Sequence, residues 1–216
     1  MILTVLALLG MQQGIADRLS GRVPPDVGAV VESLGTSSAA RGLPIDPLIQ
    51  KAIEGSAKGV PSGRVIAAVR LVAMQLDTAA AALRAGGMIS DTLAIAAGAF
   101  AINAGMSAHD ITNLLMRRGG QTTMNVRLEL NVAGTLVAIG VPSAEAADLV
   151  SASLQANRPA TELLSLPSQV QSEVARGATP AQAAAGLARA AAAQARHGPP
   201  PGRPQPPPHP PAPSHP

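Results

Sequence analysis

The sequence predicts an all-α fold: an array or irregular bundle of about seven to eight helices, built from helical hairpins and followed by a disordered proline-rich tail. Three observations carry this. Apolar residues recur at helical spacing along most of the 216 residues, the breaks between runs share one Gly-containing form, and the chain has no Cys, Trp or Tyr. Phe100 is the one aromatic side chain, so the core must be Ala, Val, Leu, Ile and Met. Such small side chains let helices approach towards the ~8 Å end of the usual interaxial range.

The first element is the N-terminal stretch "MILTVLALLGMQQGIADR". Its apolar run over residues 2–10 has the length of a signal-peptide core, and Gly14 and Ala16 are small residues at the positions a signal peptidase reads. The run is too short to span a bilayer, which needs about 20 apolar residues. No Lys or Arg precedes it. Residues 1–16 are therefore expected to be a signal peptide, with export to the periplasm or beyond, or a cytoplasmic protein if the segment is not removed. No later segment reads as long and apolar enough to cross a membrane.

Pro24-Pro25-Asp26 opens a run with Val27, Val30, Val31 and Leu34 on one stripe. After Gly42-Leu43-Pro44, Asp46 and Pro47 read as N-cap and first helical residue, and Leu48, Ile49, Ala52 and Ile53 form an apolar face. Gly59-Val60-Pro61-Ser62 leads into a seam of Val65, Val69, Val72, Leu76, Ala79 and Leu83, which suits an intramolecular hairpin. Gly86-Gly87 ends it. Ser90 is expected to cap a helix over 91–103 that is apolar nearly all round, with Leu93, Ile95, Ala96, Ala97, Phe100 and Ile102, and so central to the fold.

Gly105-Met106-Ser107 starts the next helix, with Ser107 and Asp110 spaced as a capping box. Arg117 and Arg118 fall where cations complement a helix C-terminus. Residues 124–132 alternate as a strand would, but Leu128, Val132, Leu136 and Ile139 also make a helical stripe, and a lone strand lacks a partner; a helix is expected. Ser143 is read as the cap of a run with Ala146, Leu149, Val150 and Leu154. The segment holding Leu163, Leu164, Val170 and Val174 is expected to break at Pro167. Thr179 and Gln182 make a capping box for an alanine-rich helix reaching about Arg196.

The junctions at Gly42, Gly59, Gly105, Gly140 and Gly177 share a form. Glycine closes one helix in the left-handed conformation, an apolar residue packs back, and Pro, Ser or Thr opens the next. The tetrapeptide "GVPS" occurs twice, at Gly59 and at Gly140. The helical domain is thus expected over 17–197 and the proline-rich tail over 198–216, with polyproline II character.

Net charge is +3, from 16 Lys and Arg against 13 Asp and Glu, spread along the chain without basic clusters or interleaved aromatics. That argues against a nucleic-acid partner. His109 and Asp110 are adjacent, and adjacent helical residues do not face each other. Ser62, Ser90, Ser107 and Ser143 sit where caps are expected. Asp77, Asp91, Asp110, Glu129, Asp148, Glu162 and Glu173 are dispersed over termini and polar faces. His197, His209 and His215 are too widely spaced in a tail to make a firm metal site. No catalytic, cofactor-binding or metal-binding residue is assigned, and no cofactor is expected.

The stretch "GLPIDPLIQKAIEGSAKGVPSGRVIAAVRLVAMQL" over residues 42–76 resembles an uncharacterised family of exported, alanine-rich bacterial proteins, and "AIGVPSAEAADLV" and "VARGATPAQAAAGLARA" are similar to that family's C-terminal part. The resemblance implies export and an all-helical body, with no assigned activity. The function expected is a non-enzymatic scaffold or protein-interaction module of the bacterial cell envelope, presenting an apolar groove to a protein partner, the tail a tether. An enzyme whose site is assembled from distant residues is the alternative, and a peripheral membrane-surface binder the second. No integral membrane segment is expected once the signal is removed.

Overall fold

Helices that must pack without aromatic rings need backbones close together, and the computed structural model shows them so arranged. The structure describes residues 14–88, 91–117 and 126–197. Among these are ten helices and no strand: α1 (Ile15–Leu19), α2 (Pro25–Ala40), α3 (Asp46–Ala57), α4 (Ser62–Ala85), α5 (Thr92–Asn103), α6 (Ala108–Met116), α7 (Val126–Ala138), α8 (Ser143–Gln155), α9 (Ala160–Ala175) and α10 (Pro180–His197). The all-α expectation holds, with more helices than the seven or eight read from periodicity. The tail and Ser90 lie outside the described residues.

The array runs from end to end through α4, α5, α7 and α8. Helix α4 takes α2, α3, α5 and α6 on its flanks, α5 bridges α4 to α7, and α8 packs on α6, α7 and α10. The seam of Val65, Val69, Leu76, Ala79 and Leu83 is buried as expected, whereas Val72 is only half-buried. Helix α4 is long and apolar enough to cross a membrane by length and composition, with a mean hydropathy of 1.5. This corrects the expectation that no later segment is. Its place at the centre of four neighbours gives that apolarity another use.

Small residues set the closest approaches. A Cβ added to Gly98 of α5 would lie 3.1 Å from the Cβ of Ala79 on α4. One added to Gly134 of α7 would lie 2.9 Å from the Cα of Ala101 and 2.9 Å from the Phe100 ring on α5. Backbone cannot move aside as a side-chain tip can, so α5 and α7 meet at a distance only glycine permits.

The five foreseen junctions share one geometry. At the two GVPS sites Gly59 and Gly140 have φ of 66° and 96°. Val60 N–H donates to Gly55 O at 3.0 Å and Val141 N–H to Leu136 O at 3.1 Å, the six-to-one bond of a Schellman cap. Val141, Leu43 and Met106 pack back into the core, but Val60 stays exposed. Asn157, at φ 52°, does the glycine's work between α8 and α9.

Several local expectations are corrected. Pro61 and Pro142 are the N-caps, in extended backbone, so Ser62 and Ser143 are already helical and cap nothing in their own helices. Asp46 is likewise the first helical residue, after Ile45, and its carboxylate pairs with Arg18 at 2.6 Å. Asp91 caps α5 by accepting from Leu93 N–H at 3.0 Å. Helix α9 runs unbroken through Pro167, because a missing N–H and a ring clash raise the cost of a helix without forbidding it where packing holds both sides; Leu163, Leu166 and Val170 supply that packing. Residues 126–138 are helical, as favoured. Helix α5 is central but not buried all round, since Leu93 and Phe100 are exposed. The capping boxes at Ser107 and at Thr179 with Gln182 are present.

Two glycines test the packing account. Gly134→Ala should lower stability by about 1–2 kcal/mol, because overpacking against Ala101 backbone outweighs the gain in helix propensity. Gly186→Ala, in α10 with nothing within 4 Å of the added Cβ, should raise it by about 0.5–1 kcal/mol. Thermal unfolding followed by circular dichroism checks both; two shifts of the same sign would refute the account.

Candidate functional site

The concave surface with a defined chemistry lies where α3 and α5 flank α4. Alanines at Ala96 and Ala99 are too short to close the gap over Val72, and a groove of about 220 Å³ remains. Phe100 forms one wall, 43 % exposed and backed by Gly134. Pro47, Gln50, Lys51 and Glu54 of α3 form the opposite rim. Outside the groove Leu71 and Met74 of α4 and Leu93 of α5 are exposed apolar side chains. By helical spacing Leu93 shares a face with Phe100, and Leu71 lies beside Gln75.

Two amides stand in the floor. Gln75 Nε2 donates to Asn103 Oδ1 at 3.2 Å. This uses one donor and one acceptor, so Gln75 Oε1 and the Asn103 amide nitrogen, in two residues that line the groove, keep hydrogen-bonding capacity. On the rim, the Lys58 hydrogen bond and the charge of Lys51 hold the Glu54 carboxyl below its ordinary range. Glu54 is thus an ionised, paired surface group and not a proton donor at neutral pH. The groove brings no two carboxylates together, and its volume falls below the roughly 300–1,000 Å³ of small-molecule sites.

A second cluster ties two junctions together. The Ser107 and Ser143 hydroxyls donate to Asp110 Oδ2 at 2.7 and 2.6 Å. Ser107 Oγ accepts from Asp110 N–H, and Ser143 Oγ accepts from Ser107 N–H, both at 3.0 Å. Burial raises the Asp110 carboxyl, but the two hydroxyl bonds and the charges of His109 and Arg117 outweigh it and leave the group below its ordinary value of 3.8. These four hydrogen bonds tie the start of α6 to the start of α8.

Asp77 pairs with Arg41 at 3.1 Å, Asp148 with Arg117, Glu162 with Arg158 at 3.7 Å and Glu173 with Arg176 at 2.6 Å. Glu129 is not on a polar face: it is fully buried on α7, on the stripe of Val126, Leu130 and Ala133. That position was legible as i+3 from Val126 but was masked by the alternating pattern around it. Among the described residues no three His, Cys, Asp or Glu side chains group as a metal site; His197, His209 and His215 have no described side chain. No family model matches the chain, and neither curated proteins nor solved structures give a match.

The two GVPS serines should behave differently. Ser143→Ala removes bonds to Asp110 and from Ser107 and should cost about 1 kcal/mol, whereas Ser62→Ala should change stability by less than about 0.5 kcal/mol. Equal costs in urea unfolding would contradict the cross-junction role.

Acid titration tests Asp110. A carboxyl whose folded pKa lies below its unfolded value of about 3.9 contributes stability that is present above that value and lost as pH falls through the folded one. Wild type should exceed Asp110→Asn in stability at about pH 6, with the gap closing towards pH 2. A gap unchanged over that range would show that the charge is immaterial.

Proposed function

We propose that the chain is a non-enzymatic helical interaction module, and that its partner is a protein that inserts apolar side chains into the groove between α3 and α5. The observation that carries this is the groove itself: apolar lining from Val72, Ala96 and Ala99, a half-exposed aromatic wall at Phe100, and Leu93 exposed on the Phe100 face of α5. Exposed apolar surface gathered at one concavity marks a contact surface in soluble chains. Aromatic anchors of this kind carry a large share of binding energy at protein interfaces.

The polar groups support a peptide occupant. Gln75 and Asn103 offer an acceptor and a donor to a partner's backbone, and Lys51 and Glu54 on the rim offer charges of both signs. Neither feature supplies a general acid, a general base or a nucleophile, which an enzyme would need within hydrogen-bond reach of its substrate.

The test is a pair of groove variants in the full chain. Phe100→Ala and Ala96→Glu should each weaken capture of the native partner at least about tenfold, equivalent to ~1.4 kcal/mol, while Leu164→Ala, on the exposed face of α9, should leave it unchanged. Quantitative pull-down from host extracts, with circular dichroism to show that each variant folds, decides it. Equal capture by all three variants would remove the groove from consideration.

A further inference from the structure

Helix α4 is apolar enough to cross a bilayer, yet only 39 % of its most apolar 18-residue window is buried. The rest of that apolarity faces out. Between the flanking helices, Ala67, Leu71, Met74, Thr78 and Ala81 form an exposed stripe at alternating steps of four and three. Leu71 is 48 % exposed and Met74 59 %. Thr78 Oγ donates to Met74 O at 2.8 Å, so the one hydroxyl on the stripe is spent on its own helix.

Three cations border the stripe. By helical spacing Arg64 lies on one side of it and Arg70 and Arg84 on the other, over about 30 Å of helix. All three are exposed, and among the described residues none has an ion pair or a side-chain hydrogen bond. Elsewhere Arg18, Arg41, Arg117, Arg158 and Arg176 each pair with a carboxylate. Helix α4 itself has one carboxylate, Asp77, and Arg41 neutralises it at 3.1 Å. The face of α4 is therefore cationic at its borders and apolar along its centre.

That pattern is complementary to a surface that is anionic outside and apolar just beneath. A helix lying in the plane of a bilayer interface buries its apolar side about 5–10 Å into the headgroup boundary, while its arginines stay at headgroup level. A protein partner fits it less well. The stripe has no aromatic anchor, and three guanidinium groups would need carboxylates set across about 30 Å to meet them.

We propose that the exposed face of α4 docks the protein on anionic phospholipid bilayers, with Leu71 and Met74 entering the interface and Arg64, Arg70 and Arg84 meeting the headgroup phosphates. The helix lies along the bilayer, because its opposite face is held in the core by Val65, Val69 and Leu76. The inference is independent of the groove reading: none of these five exposed residues lines the groove.

The absence of Trp makes the test direct. In the full chain, Met74→Trp supplies the sole tryptophan, with Leu164→Trp on the exposed face of α9 as the reference. Met74→Trp emission should move to shorter wavelength with vesicles of equal parts phosphatidylglycerol and phosphatidylcholine, and should not move with phosphatidylcholine alone; Leu164→Trp should respond to neither. In co-sedimentation with the anionic vesicles, combined Arg64→Gln, Arg70→Gln and Arg84→Gln should weaken binding at least about thirtyfold. The same charge change at exposed Arg22, Arg127 and Arg189 should cost less than about fivefold. Circular dichroism shows that each variant folds, and the Met74→Trp result decides alone if the triple variant does not. Equal losses in the two triple variants, no Met74→Trp shift, a shift shared by Leu164→Trp or by neutral vesicles, or the same shift with heparin in place of lipid would each overturn the proposal.

Discussion

The close approach of helix backbones at glycine and alanine is the constraint on which the rest of this structure depends. With one aromatic residue in the chain, no ring can fill a gap between helices at a stroke, and burial has to be assembled from many short contacts. Those contacts work only if axes are near, and Gly98 against Ala79 and Gly134 against Ala101 set that nearness on both sides of α5. The composition suits it in a second way. Alanine has the highest helix propensity and loses no side-chain entropy on burial, so the residue that permits close packing also stabilises the helices being packed.

The same constraint produces the groove. Where α3 and α5 flank α4, α5 presents Ala96 and Ala99 to the gap, and neither reaches across. Phe100 is the largest side chain that α5 presents to the groove, and its ring rests on Gly134 at the α5–α7 contact and forms one wall. A bulkier residue at Gly134 would displace the ring as well as separate the helices. The interior contact between α5 and α7 and the shape of the outer surface are therefore coupled through one aromatic side chain.

Much of the fold was legible because it is written locally. Helical periodicity and the Gly-X-Pro junctions located most helices, since a left-handed glycine followed by an apolar residue determines a cap without reference to the rest of the chain. What was misread depended on neighbours in space. Pro167 sits within α9 because Leu163, Leu166 and Val170 pin the helix on both sides of it. Glu129 is buried although the sequence around it reads as a polar alternation. The groove was expected only as a generality: its lining joins α3, α4 and α5, and the exposure of Leu93 and Phe100 on an otherwise apolar helix becomes visible only when its neighbours are in place.

The paired GVPS motifs separate these two kinds of information within four residues. Both copies build the same cap, with glycine in the left-handed region and valine closing the six-to-one bond. Their outcomes then diverge: Val141 is buried and Val60 exposed, and Ser143 binds Asp110 and Ser107 while Ser62 binds no side chain among the described residues. Nothing inside the motif distinguishes the copies. The difference comes from the Gly105–Asp110 junction, which lies against the second copy and supplies a carboxylate and an amide for its serine. A local code thus determines how each helix ends. Which ends are joined is decided by what the fold brings beside them.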